Sequence, residues 1–106
     1  MKTTKTIDEL KKIASQVRRD IIRQVHAVNS GHPGGSLGCA DFFVALYFHQ
    51  MTYSAKNFDM DGKEEDIFFL SNGHISPVWY SVLARTGFFN LSELSTFRKI
   101  DSRLQG

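Results

Sequence analysis

Two histidines set in glycine-bearing segments could do chemistry in this chain: His32 in Ser30-Gly31-His32-Pro33-Gly34-Gly35-Ser36, and His74 in Leu70-Ser71-Asn72-Gly73-His74. An imidazole can donate at one nitrogen and accept at the other, which suits it to proton transfer near neutral pH. Glycines let backbone amides approach a ligand closely and take positive φ, which a side chain would forbid. A helix that leaves such a segment offers unpaired N–H groups and a partial positive charge, a fit for phosphate or for developing negative charge. The competing reading of the first segment is a helix–loop–helix connection with a surface histidine. His26 and His49 complete the set of four, and no two of the four stand at i, i+4, so no metal site is expected. Asp41 reads as a charge serving the start of a helix, and Trp79 and Tyr80 read as packing.

Elements on either side must position these histidines. Thr6 followed by Glu9 has capping-box spacing and predicts a helix start. Apolar residues then recur at Ile7, Leu10, Ile13, Ala14, Val17, Ile21, Val25 and Val28, one face of a helix that Asn29, Ser30 and Gly31 stop. Ser36 is the expected N-cap of a second helix from Leu37 to about Met51, apolar on nearly every side and therefore buried by neighbours. A polar loop from Thr52 to Asp66 follows. Acids alternate in it at Asp59 and Asp61, but glycine falls at the wrong offset for a calcium loop and no acid closes the register, so it reads as solvated. Ile67-Phe68-Phe69-Leu70 is a short continuous apolar run and predicts a strand buried on both faces. An Asn72-Gly73 turn at its end would present His74 to the crevice where ligands collect in parallel α/β sheets. Ser76-Pro77 opens a third helix that stops at Gly87, and a short helix carrying Leu91, Leu94 and Phe97 follows.

At 106 residues with 42% apolar and 12% aromatic residues, the chain supports one modest core. A net charge of +2, with cations spread along the chain, gives no basic stripe for nucleic acid. No apolar run is long enough to span a membrane. The single cysteine, Cys39, excludes an internal disulfide and fits a reducing, cytoplasmic setting. One strand cannot form a sheet, and each unmade buried backbone hydrogen bond costs on the order of 1–3 kcal/mol. The chain therefore reads as the opening of a larger α/β domain, a fragment or an obligate partner of another chain.

With both histidine segments in order, the stretch from Leu10 to Gly106 resembles the start of the N-terminal, diphosphate-binding domain of transketolase. The bend Gly87-Phe88-Phe89-Asn90-Leu91-Ser92 belongs to the likeness, whereas Ile67 stands where that family commonly has arginine. The resemblance implies an α/β fold class: the N-terminal part of a thiamine-diphosphate-binding domain, helix-rich with one clear parallel-type strand, residues 1–106 being an incomplete portion of it. It implies transfer of a two-carbon ketol unit between sugar phosphates, a reaction of the pentose phosphate pathway, with thiamine diphosphate and Mg²⁺ as cofactors. By position, His32 matches the histidine that contacts the sugar and assists proton transfer. His74, with Gly73 before it, matches the one beside the cofactor diphosphate and the reacting carbons. No metal ligand is assigned. The family's third histidine, its Gly-Asp-Gly…Asn motif for Mg²⁺ and diphosphate, and its pyrimidine-activating glutamate are not among these residues. The chain alone is therefore expected to be inactive, to need further transketolase chain or a partner subunit, and to oligomerise. The alternative is a non-catalytic interaction or regulatory module that docks on a transketolase-like partner through its apolar helix.

Overall fold

Thr6 opens the longest helix. In the computed structural model, which describes residues 5–56, 61–63 and 65–106, the Glu9 amide donates to the Thr6 hydroxyl at 3.2 Å and the Thr6 amide donates to Glu9 Oε1 at 2.9 Å. This reciprocal capping box starts α1, Ile7–Val28. Asn29 ends it in the left-handed region, with φ of 51°. The apolar stripe is the buried one: Ala14, Val17 and Ile21 are at most 2% exposed. Two polar residues share that burial against expectation, Asp20 at 3% and Gln24 at 1%.

The second helix begins four residues earlier than its sequence predicts. Pro33 occupies its first turn, His32 its N-cap position, and α2 runs Pro33–Ala45. Proline's fixed φ is already helical and its missing N–H is one the first turn would leave unpaired anyway. Ser36 is not the cap. It is fully buried, and its Oγ accepts from the Val78 amide at 3.3 Å. Gly35 is needed at this crossing, because a Cβ there would stand 2.9 Å from Ile75 Cγ2. Asp41 does not serve the helix start either; it pairs with Arg18 of α1 at 2.9 Å, and that hydrogen bond holds its carboxyl below the usual range. Beyond Ala45 the helix widens into a π-helical turn, Leu46–Gln50.

A 3-10 turn, Gly73–Ile75, leads into α3, Ser76–Arg85, and a second 3-10 segment spans Leu91–Thr96. The three α-helices enclose one core that includes Val17, Ile21, Phe43, Val44, Val78 and Val82. A smaller cluster of Ala84, Leu94, Phe97 and Leu104 sits beside it. Asp20 joins α1 to α3: Ser81 Oγ donates to it at 2.6 Å, and Arg85 donates through Nε at 2.5 Å and Nη2 at 2.9 Å. That contact raises the Arg85 pKa further. Among the described residues no helix is long and apolar enough to cross a membrane.

The expected parallel-type strand is absent, and the fold among the described residues is helical without any strand. Residues 67–70 carry no secondary structure, and none of their backbone groups makes a hydrogen bond among the described residues. Their side chains alternate rather than being buried on both sides. Phe68 and Leu70 pack on the core, whereas Ile67 is 81% and Phe69 85% exposed. A strand exists only as a member of a ladder, and residues 67–70 pair with no second segment among the described residues. Leaving such a side chain in water forgoes roughly 1.5–3 kcal/mol of burial. Of the acidic loop, Asp59 and Glu64 lie outside the described residues. Its ends are tied by the carboxylates of Asp66 and Glu65, which accept from the Thr52 amide at 2.7 Å and the Ser54 amide at 2.6 Å.

Candidate functional site

His32 and His74 arrive from different elements and meet. Their ring centroids are 4.7 Å apart and the rings lie edge to face at 80°. Both residues are exposed. His74 is placed by Asn72, whose Oδ1 accepts from the His74 amide at 3.2 Å and caps the 3-10 turn. Asparagine favours this local side-chain-to-backbone bond. His32 stands at the N-cap position of α2 and makes no capping bond with its side chain, so both ring nitrogens remain uncommitted to that helix.

The glycines around the pair divide by role. Gly35 has the contact with Ile75 described above, whereas Cβ atoms at Gly34, Gly38 and Gly73 would meet nothing within 4 Å. Gly34 and Gly38 are one turn apart on α2 and share a face. The result is two imidazoles beside bare backbone with open space over it. A ligand can lie close against such a surface, where each imidazole has a donor and an acceptor to offer. The residues present therefore fit part of what a diphosphate-bearing cofactor would touch.

Behind His32 the chain is held from a distant segment. Ser30 Oγ accepts from Arg98 Nη1 at 2.5 Å, and Gly31, at φ of 126°, lies against the Phe97 ring. Sequence reasoning passed over Arg98, because an arginine in a polar run gives no sign that its backbone will be left-handed. It also passed over Asp20, which carries no mark distinguishing it from the solvated charges of α1. His26 remains on α1 and His49 in the π-helical turn, the latter with a buried, unpartnered Nδ1. Neither makes ring contact with the pair among the described residues. Among those residues no three His, Cys, Asp or Glu side chains converge.

A second concavity, about 390 Å³, lies between Tyr53, Phe68, Trp79 and Phe88 with Glu65 and Asp66 beside it. Its described lining holds no imidazole, and both carboxylates already accept backbone amides. It offers packing surface rather than proton-transfer chemistry.

Known proteins are similar to this sequence. Mouse transketolase is 38% identical over 100 residues, which cover 94% of this chain and 16% of that protein. Human transketolase gives the same identity and coverage. Transketolase 2 of Escherichia coli strain K12 is 36% identical over 97 residues, 91% of this chain and 14% of that protein. The chain thus spans only 14–16% of the length of these relatives. Residues 9–106 match the family described as transketolase, thiamine diphosphate binding domain, and with these identities the chain belongs to that family.

Proposed function

We propose that residues 1–106 are the opening portion of the diphosphate-binding domain of a transketolase, contributing His32 and His74 to two-carbon ketol transfer between sugar phosphates. The observation that carries this reading is the 4.7 Å edge-to-face approach of the two rings beside the open glycine surface. Thiamine diphosphate, when bound, supplies an electron sink for the two-carbon unit in transit. His32 would hold a hydroxyl of the sugar and take or return its proton, while His74 and Gly73 would help to hold the diphosphate of that cofactor. Gly34 and Gly38 leave room for the substrate to approach without moving the helix. Mg²⁺ and the remaining diphosphate contacts come from residues other than these, as does the glutamate that activates the pyrimidine. Ketol transfer accordingly requires further chain or a partner subunit, in an oligomer working in the cytoplasm.

The test is a chimera in which residues 9–106 replace the matching stretch of mouse transketolase, assayed for ketol transfer. Activity is expected, with His32→Ala and His74→Ala each lowering it by about 10²-fold or more, the usual weight of a positioned acid–base group. A folded, cofactor-binding chimera that is inactive, or one indifferent to both substitutions, would overturn the reading. Calorimetry of the 106-residue chain with thiamine diphosphate and Mg²⁺ is expected to show no micromolar binding.

A second reading has its own observation. Phe42, at 62% exposed, Ile67 and Phe69 present apolar surface of the kind that marks interfaces, which favours a non-catalytic module docking on a transketolase-like partner. Sedimentation of the chain alone and mixed with such an enzyme separates the two. A monomer with no affinity for the enzyme removes the docking reading.

A further inference from the structure

We propose that Arg98 is a positioning residue for His32, its guanidinium fixing the Ser30–Gly31 approach so that the His32 ring stands against His74. The proposal rests on reading the two histidines as a working pair and adds what sets their spacing. Arg98 touches neither imidazole's chemistry directly; it acts through the chain that delivers one of them.

Three observations converge on it. Arg98 reaches two segments at once: Nη1 donates to Ser30 Oγ at 2.5 Å and Nη2 to the Gly106 carbonyl at 3.3 Å. Its own backbone is left-handed, with φ of 63°, and its amide donates to the Leu104 carbonyl at 2.8 Å. A branched-out side chain at positive φ is uncommon and persists where surrounding contacts over-determine it. Here those contacts are the amide's bond to Leu104 and the side chain's own bonds. Finally, the preceding residue grips the same place from below. Phe97 is 1% exposed, and its ring lies 3.3 Å from where a Cβ on Gly31 would stand. Phe97 and Arg98 thus hold Gly31 and Ser30, the two residues immediately before His32.

His32 needs such an external hold. Its side chain makes no capping bond, and the residue is exposed, so α2 does not orient the ring. His74 is fixed independently by the Asn72 cap. The Ser30–Gly31 path, together with the packing of α2 at Gly35 and Ser36, sets where the His32 ring stands, and Arg98 is a polar side chain that holds that path.

The experiment uses the full 106-residue chain with labelled histidine and reads the nuclear Overhauser cross-peak between the His32 and His74 rings. The unaltered chain is expected to show it; its absence there would refute the paired-histidine reading itself, separately from the role of Arg98. Arg98→Ala is expected to lose the cross-peak while the amide fingerprint of α1 and α3 stays in place. Arg98→Lys, which can still reach Ser30 Oγ, is expected to recover part of it. Equal loss in both variants would assign the effect to the left-handed backbone and overturn the proposal, as would a full-strength cross-peak in Arg98→Ala. Should Arg98→Ala fail to fold, Ser30→Ala removes only the accepting hydroxyl. A weakened cross-peak in that variant supports the proposal and an unchanged one overturns it.

Discussion

Asp20 and His32 are both polar side chains facing another helical element, yet the molecule treats them in opposite ways. Asp20 is 3% exposed and takes three hydrogen bonds from Ser81 and Arg85. His32 is exposed, makes no capping bond with its side chain, and meets the His74 ring edge to face. A buried carboxylate with both oxygens engaged is costly to disturb and holds two helices in register. A reactive imidazole must instead keep its nitrogens available. The α1–α3 contact is therefore a lock, whereas the α2–His74 contact leaves two exposed imidazoles edge to face.

The largest expected effect falls on the lock. Asp20→Ala leaves the Arg85 guanidinium and the buried Ser81 hydroxyl without their acceptor, and about 3–5 kcal/mol of stability should be lost in urea unfolding. A loss below about 1 kcal/mol, the range of exposed pairs, would erase the distinction between the two centres. Next come the glycines. Gly35→Ala drives a Cβ to 2.9 Å from Ile75 Cγ2 and should cost about 1–3 kcal/mol. Gly34→Ala and Gly38→Ala meet open space and gain helix propensity, so each should be neutral or stabilising by up to roughly 1 kcal/mol. The opposite ranking would mean that the open surface is packed and not a site. His74→Ala should change stability by no more than about 0.5 kcal/mol; a larger loss would make the ring structural.

The smallest effect sharpens the comparison at high pH. Burial pushes the phenols of Tyr47, Tyr53 and Tyr80 above their ordinary value, against weaker opposing hydrogen bonds. A raised phenol binds its proton more tightly when folded. That contribution is complete below the unfolded value of about 10 and is lost as pH rises through the folded one. Tyrosinate absorbance should therefore appear above pH 10 while the chain is folded, and the melting temperature should fall over that interval. Phenols titrating at the ordinary value would show that water reaches the aromatic core.

Much of the helical frame was legible beforehand, for local reasons. Thr6 with Glu9, the three- and four-residue apolar spacing, Asn29 and Pro77 each act within a turn or two of chain, and α1 and α3 follow from them. The histidine segments stood out by their glycines and an Asn-Gly pair, yet of those glycines only Gly31 takes positive φ, while Gly34, Gly35 and Gly38 lie in α2 and Gly73 opens a 3-10 turn. The strand expected at Ile67–Leu70 is not there, because the same four apolar residues are compatible with burial on two faces or on one. Neighbours decide that, and here Ile67 and Phe69 are left mostly exposed. Ser36 was misread for a related reason. A serine ahead of an apolar run looks like a cap until Pro33 starts the helix earlier and carries the hydroxyl inward to Val78.

By itself the sequence determined where α1 begins and ends, where α3 begins, which face of α1 is apolar and that two imidazoles sit in glycine-bearing segments, because these depend on contacts among close neighbours along the chain. Only the tertiary structure decided that Asp20 meets Arg85, that Arg98 reaches back to Ser30 and that His32 stands edge-on to His74. Each of those joins residues dozens of positions apart, where side-chain spacing carries no information and packing of the helices alone fixes the distance.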